Sequence, residues 1–190
     1  MDNFLLYFKI GWDHIISLDA FDHQLFLLAV TASFTLQEFR KIVLLVTAFT
    51  VGHCLTLALA ATRVLQLSSY WIEILIPATI GLMALANFRF VSGNVRRQNE
   101  SYLLASLFGL VHGLGFANVL ISLLGKEQSL FMPLFGFNIG IELGQIAVIL
   151  GLLSLQTLVI RLFKITSGHW AAFASGMALA GSIWMVYGRV

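Results

Sequence analysis

The sequence predicts an all-α fold, a polytopic integral membrane helix bundle, and two observations predict it. Of 190 residues, 59% are hydrophobic and only 11% charged, far from ordinary globular usage. The apolar residues gather into windows long enough to cross a bilayer, separated by short polar stretches that hold most of the arginines and lysines. Residues 1–190 therefore read as one transmembrane domain. A formal net charge of +2 is too small to argue for a nucleic-acid partner, and the scattered bases fit topology signals better than a phosphate-binding face. Membrane lipid is the partner that composition implies.

About six spans are expected. The first covers about Phe21 to Leu36, with a start as early as Ile15 on the same pattern, and ends at Glu38, Arg40 and Lys41. A second covers about Ile42 to Ala61 and leads into the Arg63 to Ser69 connection. The third, about Trp71 to Phe88, contains Pro77, which frees a carbonyl and favours a kink. Arg89 to Glu100 is the clearest loop, too polar to remain in lipid. The fourth, about Tyr102 to Leu124, is rich in glycine at 109-GLVHGLG-115 and is broken at 125-GKEQS-129. A fifth runs from Phe131 or Phe135 to Ile160, and the sixth, Trp170 to Tyr187, carries 176-GMALAG-181, small residues suited to close helix contact. The count becomes seven if residues 3–16 form another crossing.

Basic residues supply an orientation. With six spans and the N terminus outside, seven bases (Arg40, Lys41, Arg89, Arg96, Arg97, Arg161, Lys164) fall inside and four (Lys9, Arg63, Lys126, Arg189) outside. Both termini are then expected in the periplasm of a bacterial inner membrane. The opening MDNFLLYFKIGWDH has neither a basic n-region nor a small-residue cleavage pattern, so the first membrane helix is expected to be its own targeting segment. Cys54, the single cysteine, excludes an intrachain disulfide and multi-cysteine metal sites, and reads as a small buried hydrophobe.

An internal two-helix repeat is expected. With His53 placed over His112, 44-LLVTAFTVGHCLTLA-58 overlays 103-LLASLFGLVHGLGFA-117, sharing a phenylalanine four residues before histidine, and each copy precedes a helix carrying an acid, Glu73 or Glu142. Transporter repeats often meet at the substrate site.

The residues that carry chemistry are those that cost most in hydrocarbon. Ionisable groups in membrane helices usually face a protein interior or a cavity and bind something. Asp19, Asp22 and His23 share a face at helical spacing. His14 meets them only if the chain breaks near Ser17 and Leu18 and the preceding segment folds back. Asp22 can hold one imidazole nitrogen of His23 while the other binds a metal or a proton. For Asp19 a helix cap competes with a ligand role. His53 and His112 lie inside the second and fourth spans, and Thr56 bonds back to its own helix or supplies a hydroxyl. On the fifth, Asn138, Glu142 and Gln145 form a polar stripe. The amides suit interhelical hydrogen bonds, whereas Glu142 needs a partner for its charge. Glu73 and Asn87 have capping or packing readings. Carboxylate with imidazole suits a divalent transition metal: nickel, cobalt, zinc, copper or iron. With the N terminus outside, these groups converge on an outward-open cavity.

The stretches HIISLDAFDHQLFLL, LVTAFTVGHCLTLAL, IEILIPATI, FGLVHGLGFAN and FNIGIELGQ resemble the HupE/UreJ family of small bacterial membrane proteins over nearly the whole chain. The resemblance implies a nickel or cobalt permease, or an accessory protein of hydrogenase or urease maturation. It places the family's motifs on His14, Asp22, His23, His53, His112 and Glu142. A cleavable signal and a histidine-rich tail, present in some members, are not part of this pattern, and Cys54 stands where a serine is common.

The function expected first is binding and transport of nickel or cobalt across the inner membrane through a His/Asp/Glu site. Its metal set is His14, Asp19, Asp22, His23, His53, His112 and Glu142, with Glu73, Asn138 and Gln145 along the pathway. The runner-up is a membrane metalloenzyme, or an accessory or sensor protein, with a retained metal. A homo-oligomer or a metalloenzyme-maturation partner fits either. No P-loop is present, so direct ATP use would need another subunit.

Overall fold

A computed structural model describes residues 2–17, 19–65, 67–91, 98–124 and 130–189. Its helices are α1 (Asp2–Ile16), α2 (Phe21–Thr31), α3 (Phe39–Ala61), α4 (Ser69–Val91), α5 (Gln98–Leu124), α6 (Phe131–Phe163) and α7 (Ser167–Tyr187), with a 3-10 turn at Leu36–Glu38 and no strand among the described residues. The expected segments at 42–61, 71–88, 102–124, 131–160 and 170–187 lie within α3 to α7. Among the described residues, four helices, at Leu36–Ala61, Ser69–Phe88, Phe131–Phe163 and Ser167–Tyr187, are long and apolar enough to cross a membrane. α5 has 27 residues, with its described apolar stretch at Ser101–Ala117. The polar connections at 92–97 and 125–129, with Arg96, Arg97 and Lys126, lie outside the described residues.

The expected first span is not one helix. α2 has 11 residues, and at about 1.5 Å per residue it covers roughly half of a bilayer core. Ahead of it, the amide of Asp19 donates to Ser17 Oγ (3.1 Å) and that of Ala20 to Ser17 O (3.1 Å), a local turn that ends α1. Gln24 Nε2 then donates to Ile15 O (2.7 Å), one of the carbonyls orphaned at the end of α1. The break falls where the sequence suggests, with Leu18 outside the described residues, but the chain does not fold back. α1 lies along the first half of α6, Phe4 against Gly136, Phe8 against Gly140 and Ile15 against Gly144. Farther along α6, Gln156 Nε2 donates to Phe34 O (2.9 Å), just beyond α2. Thus α1 and α2 follow α6 in one direction as a broken rod.

Contacts at the two ends of the bundle settle the helix directions. One end gathers Phe34, Lys41, Ser101, Gln156 and Ser167 around a cavity of about 170 Å³. At the other, Tyr7 donates to Leu123 O (3.3 Å), Phe4 packs on Phe135, and Arg189 Nη1 donates to Glu73 O (2.5 Å). The broken rod, α4 and α6 therefore run one way, and α3, α5 and α7 the other. The Arg189 bond has a sequence cause: Pro77 lacks the N–H that would take Glu73 O inside α4.

Glycine sets the two closest helix crossings. A Cβ on Gly109 would overlap Phe49 O, and one on Gly113 would overlap His53 O, so α3 and α5 touch backbone to backbone. Gly140 against Phe8 O does the same for α6 and α1. Elsewhere polar side chains join the helices: Asn87 Nδ2 donates to Ala29 O (2.7 Å) and Ser175 Oγ (3.1 Å), bonding α4 to α2 and α7. Of the α7 small-residue pair, Gly181 receives Leu25 while Gly176 faces open space. Outward faces expose Leu44, Val51, Leu55, Leu82, Leu107, Leu150 and Ile183, a surface suited to lipid. Gly113→Val should force overpacking worth about 1–3 kcal/mol and lower the melting temperature in detergent, whereas Gly151→Ala, with nothing near its Cβ, should leave it within the scatter of wild type. Thermal unfolding followed by size-exclusion fluorescence checks the contrast.

Candidate metal site

Four histidines from four helices meet inside the bundle. The break between α1 and α2 allows the rings of His14 and His23 to approach to 4.7 Å between centroids, and those of His23 and His112 lie 5.0 Å apart. His53 comes in from α3, fully enclosed at 0% exposure, while His23 and His112 are 3% and 2% exposed. Two overlapping donor groups result, His14 with His23 and His53, and Asp22 with His23 and His112, each with its ligand atoms within 4.8 Å of one another.

Hydrogen bonds decide which nitrogens are free. Asp22 Oδ1 accepts from the His23 amide (2.8 Å) and lies 2.9 Å from His23 Nδ1, so that nitrogen carries the proton. His112 Nδ1 likewise donates to Phe108 O (2.9 Å), the carbonyl one turn back. Both rings therefore leave Nε2 as the nitrogen available to a ligand. Among the described residues, the Nε2 atoms of His14, His23, His53 and His112 are buried with no partner at hydrogen-bond geometry, as is Nδ1 of His53, beside which only the Asn138 amide comes near. A buried polar atom left unsatisfied costs about 1–3 kcal/mol, and so many in one place are hard to sustain unless something binds them. Imidazole nitrogens with one carboxylate are the donor set of a borderline divalent transition metal, and the carboxylate that holds His23 is the support such a ligand needs.

Phenylalanine rings enclose the cluster. Phe49 stacks on His53 (6.0 Å) and contacts His112 (5.4 Å), and Phe26 stacks on Phe49 (4.8 Å). Phe116 and Phe137, stacked at 4.7 Å, cover His14 and His53. Part of this wall is legible in the sequence, since Phe49 and Phe108 each stand one helical turn before a histidine. A cavity of about 250 Å³ leads from the cluster to the end of the bundle where α1 begins and α7 ends, lined by His14, Asp22, His23, His112, Ser69, Glu73 and Arg189. Arg189 at this mouth has no signal in the sequence; the proline one turn after Glu73 is the nearest hint.

The other expected residues lie elsewhere. Asp19 is exposed, its carboxylate on Ser17 Oγ (3.3 Å), and the N-cap of α2 is Ala20 without a side-chain bond, so neither the cap nor membership of a donor group applies to it. Glu142 stands outside both groups and accepts from Thr47 Oγ1 (2.7 Å) across α3 and α6, with no cation in ion-pair reach among the described residues. Gln145 Oε1 accepts from Thr50 (3.1 Å) one turn farther along. Asn138 lies beside His53 and bonds Leu134 O (2.7 Å). Glu73, exposed, rims the cavity, and Thr56 bonds back to Gly52 O and His53 O. Cys54 is a half-buried free thiol outside both groups. The fifth histidine, His169, caps α7 through Thr166. The internal echo reaches the histidines but not the acids, because Glu73 sits in the first turns of α4 and Glu142 well inside α6.

Fold and site together define a helical membrane protein with a buried group of imidazoles and a carboxylate able to hold a metal ion. A family profile described as HupE / UreJ protein matches residues 1–188, and the chain belongs to that family. Membership implies a nickel- or cobalt-related transport or accessory role. Comparison with curated proteins and with solved structures returned no match.

Because Asp22 orients His23 without crowding the free nitrogens, Asp22→Asn should weaken binding of Ni²⁺ or Co²⁺ by about 10–100-fold while the protein stays folded. Competition titration against a metal indicator in detergent measures it.

Proposed function

We propose that this protein binds a divalent transition-metal cation, nickel or cobalt, and carries it across the bacterial inner membrane. The observation that carries the reading is the set of partnerless imidazole nitrogens at the foot of a cavity that opens at one end of the bundle. The broken rod and α3 to α7 make six passes, with the start of α1 and the end of α7 at the cavity mouth. Arg40, Lys41, Arg161 and Lys164 collect at the opposite end, which the positive-inside rule assigns to the cytoplasm, so the cavity faces the periplasm.

In this scheme the metal ion is the cargo. It loses water in the cavity, where Glu73 attracts it, and exchanges that water for His23 and the neighbouring histidines, with Asp22 holding His23 by Nδ1. Beyond them the contacts of Thr50 with Gln145 and Thr47 with Glu142 cross between the oppositely directed α3 and α6, on the side of the far-end cavity lined by Gln156 and Lys41. Glu142 serves the pathway as a carboxylate with no cation in ion-pair reach among the described residues. Binding must be loose enough to release, which a site that opens into a cavity permits better than a closed structural site.

Purified protein in liposomes should move Ni²⁺ or Co²⁺ into a lumen containing a metal-sensitive dye. His23→Ala should abolish the flux. Glu142→Gln should leave equilibrium affinity within about twofold but reduce flux at least tenfold, the pattern expected of a pathway group outside the binding set. Stable, stoichiometric metal that resists chelators, together with no flux from folded protein, would overturn transport and move the assignment to a metalloenzyme or accessory protein with a retained ion.

A further inference from the structure

One basic side chain stands where a cation must enter. We infer that Arg189 is a charge gate: a tethered guanidinium that an arriving metal ion displaces, and so the residue that makes entry selective for doubly over singly charged ions. The inference rests on the first step of the reading above, entry through the cavity that the histidines line.

Arg189 lies two residues beyond the end of α7 at Tyr187 and is half-buried. Its Nη1 reaches α4 and donates to Glu73 O (2.5 Å), the carbonyl that Pro77 leaves without a donor inside the helix. Both partners of this bond line the cavity of about 250 Å³ that His14, His23 and His112 also line. A backbone oxygen therefore fixes the guanidinium at the mouth, and no carboxylate lies in ion-pair reach of it among the described residues. A tie between two helices needs only a neutral donor. The permanent charge of arginine does something more, because it opposes every cation that comes in.

The same side chain has a second place to go. A neighbouring hollow of about 310 Å³ is lined by Arg189 as well, together with Asp19, Asp22, Phe21 and Trp184. Asp19 is exposed there, with Ser17 Oγ on its carboxylate. Asp22 borders both spaces. The guanidinium can thus leave the carbonyl of Glu73 for the carboxylate of Asp19 while the helices stay where they are.

Charge decides which ion makes it move. The acids facing the mouth are Glu73, exposed at its rim, and Asp22. A singly charged ion gains from them no more than the departing guanidinium gives up, and the hydrogen bond to Glu73 O is lost in addition. A doubly charged ion gains about twice as much at the same distance, so the exchange becomes favourable. Imidazole nitrogens then replace the water of a transition-metal ion, which they do not do for an alkali cation.

The experiment follows the visible Co²⁺ spectrum after stopped-flow mixing with wild type, Arg189→Gln and Arg189→Lys, each verified as monodisperse, in N-methylglucamine chloride and again in KCl at equal ionic strength. Wild type should bind Co²⁺ at the same rate in both salts. Arg189→Gln, which keeps a donor for Glu73 O but loses the charge, should bind about three- to tenfold faster in the first salt and lose most of that gain in KCl, where K⁺ occupies the mouth. Arg189→Lys should stay within about twofold of wild type in both. Arg189→Gln binding at the wild-type rate, or fast but indifferent to K⁺, or matched by Arg189→Lys, would overturn the gate while leaving the metal site and transport intact. Wild type that takes up no Co²⁺ would overturn the transport reading and the gate with it.

Discussion

Helices normally pack with side chains between them, at axial separations of about 8–10 Å, which would leave these imidazoles on separate surfaces. Here α3 meets α5 at Gly109 and Gly113, and α6 meets α1 at Gly140, with carbonyl oxygens where a Cβ would stand. The missing side chains bring His53 and His112 into one interior and seat α1 so that His14 reaches them. Everything else about the site follows from that proximity: the phenylalanines packed around the rings, the carbonyl of Phe108 that orients His112, and the cavity that remains at one end.

A short break does the rest. An unbroken helix through residues 14–23 would separate His14 and His23 by more than two turns, about 13 Å along the axis. The Ser17–Asp19 turn removes that separation while keeping the direction of the chain. Discontinuous helices are a recurrent way to place ligands within a membrane protein, because irregular backbone is tolerated where it lines a cavity. Asp19 takes part in that turn through both its amide and its carboxylate, each on Ser17 Oγ.

Much of this was legible in the sequence, for identifiable reasons. Charge and imidazole in apolar helices are expensive, so Asp22, His23, His53 and His112 stood out without any structure, and long apolar windows marked α3 to α7. Two matters could not be read. Whether α1 and α2 form one broken rod depends on their partner α6, distant in the chain, and hydropathy reports no partner. Glu142 looked like a fellow ligand because it is as costly as the histidines, but cost says only that a polar group needs company; its company is Thr47. The wall of phenylalanines is half visible as the one-turn spacing of Phe49 and Phe108 from the histidines. Phe116 and Phe137 reach the cluster only through the fold.

The central claim is that the buried histidines themselves are the ion site. X-ray absorption at the metal edge of the Ni²⁺- or Co²⁺-loaded protein tests it most directly, since imidazole rings give outer-shell scattering that water and carboxylate do not. The account predicts at least two imidazole ligands per ion, with that scattering lost in folded His23→Gln. An all-oxygen shell, unchanged by His23→Gln, would contradict it.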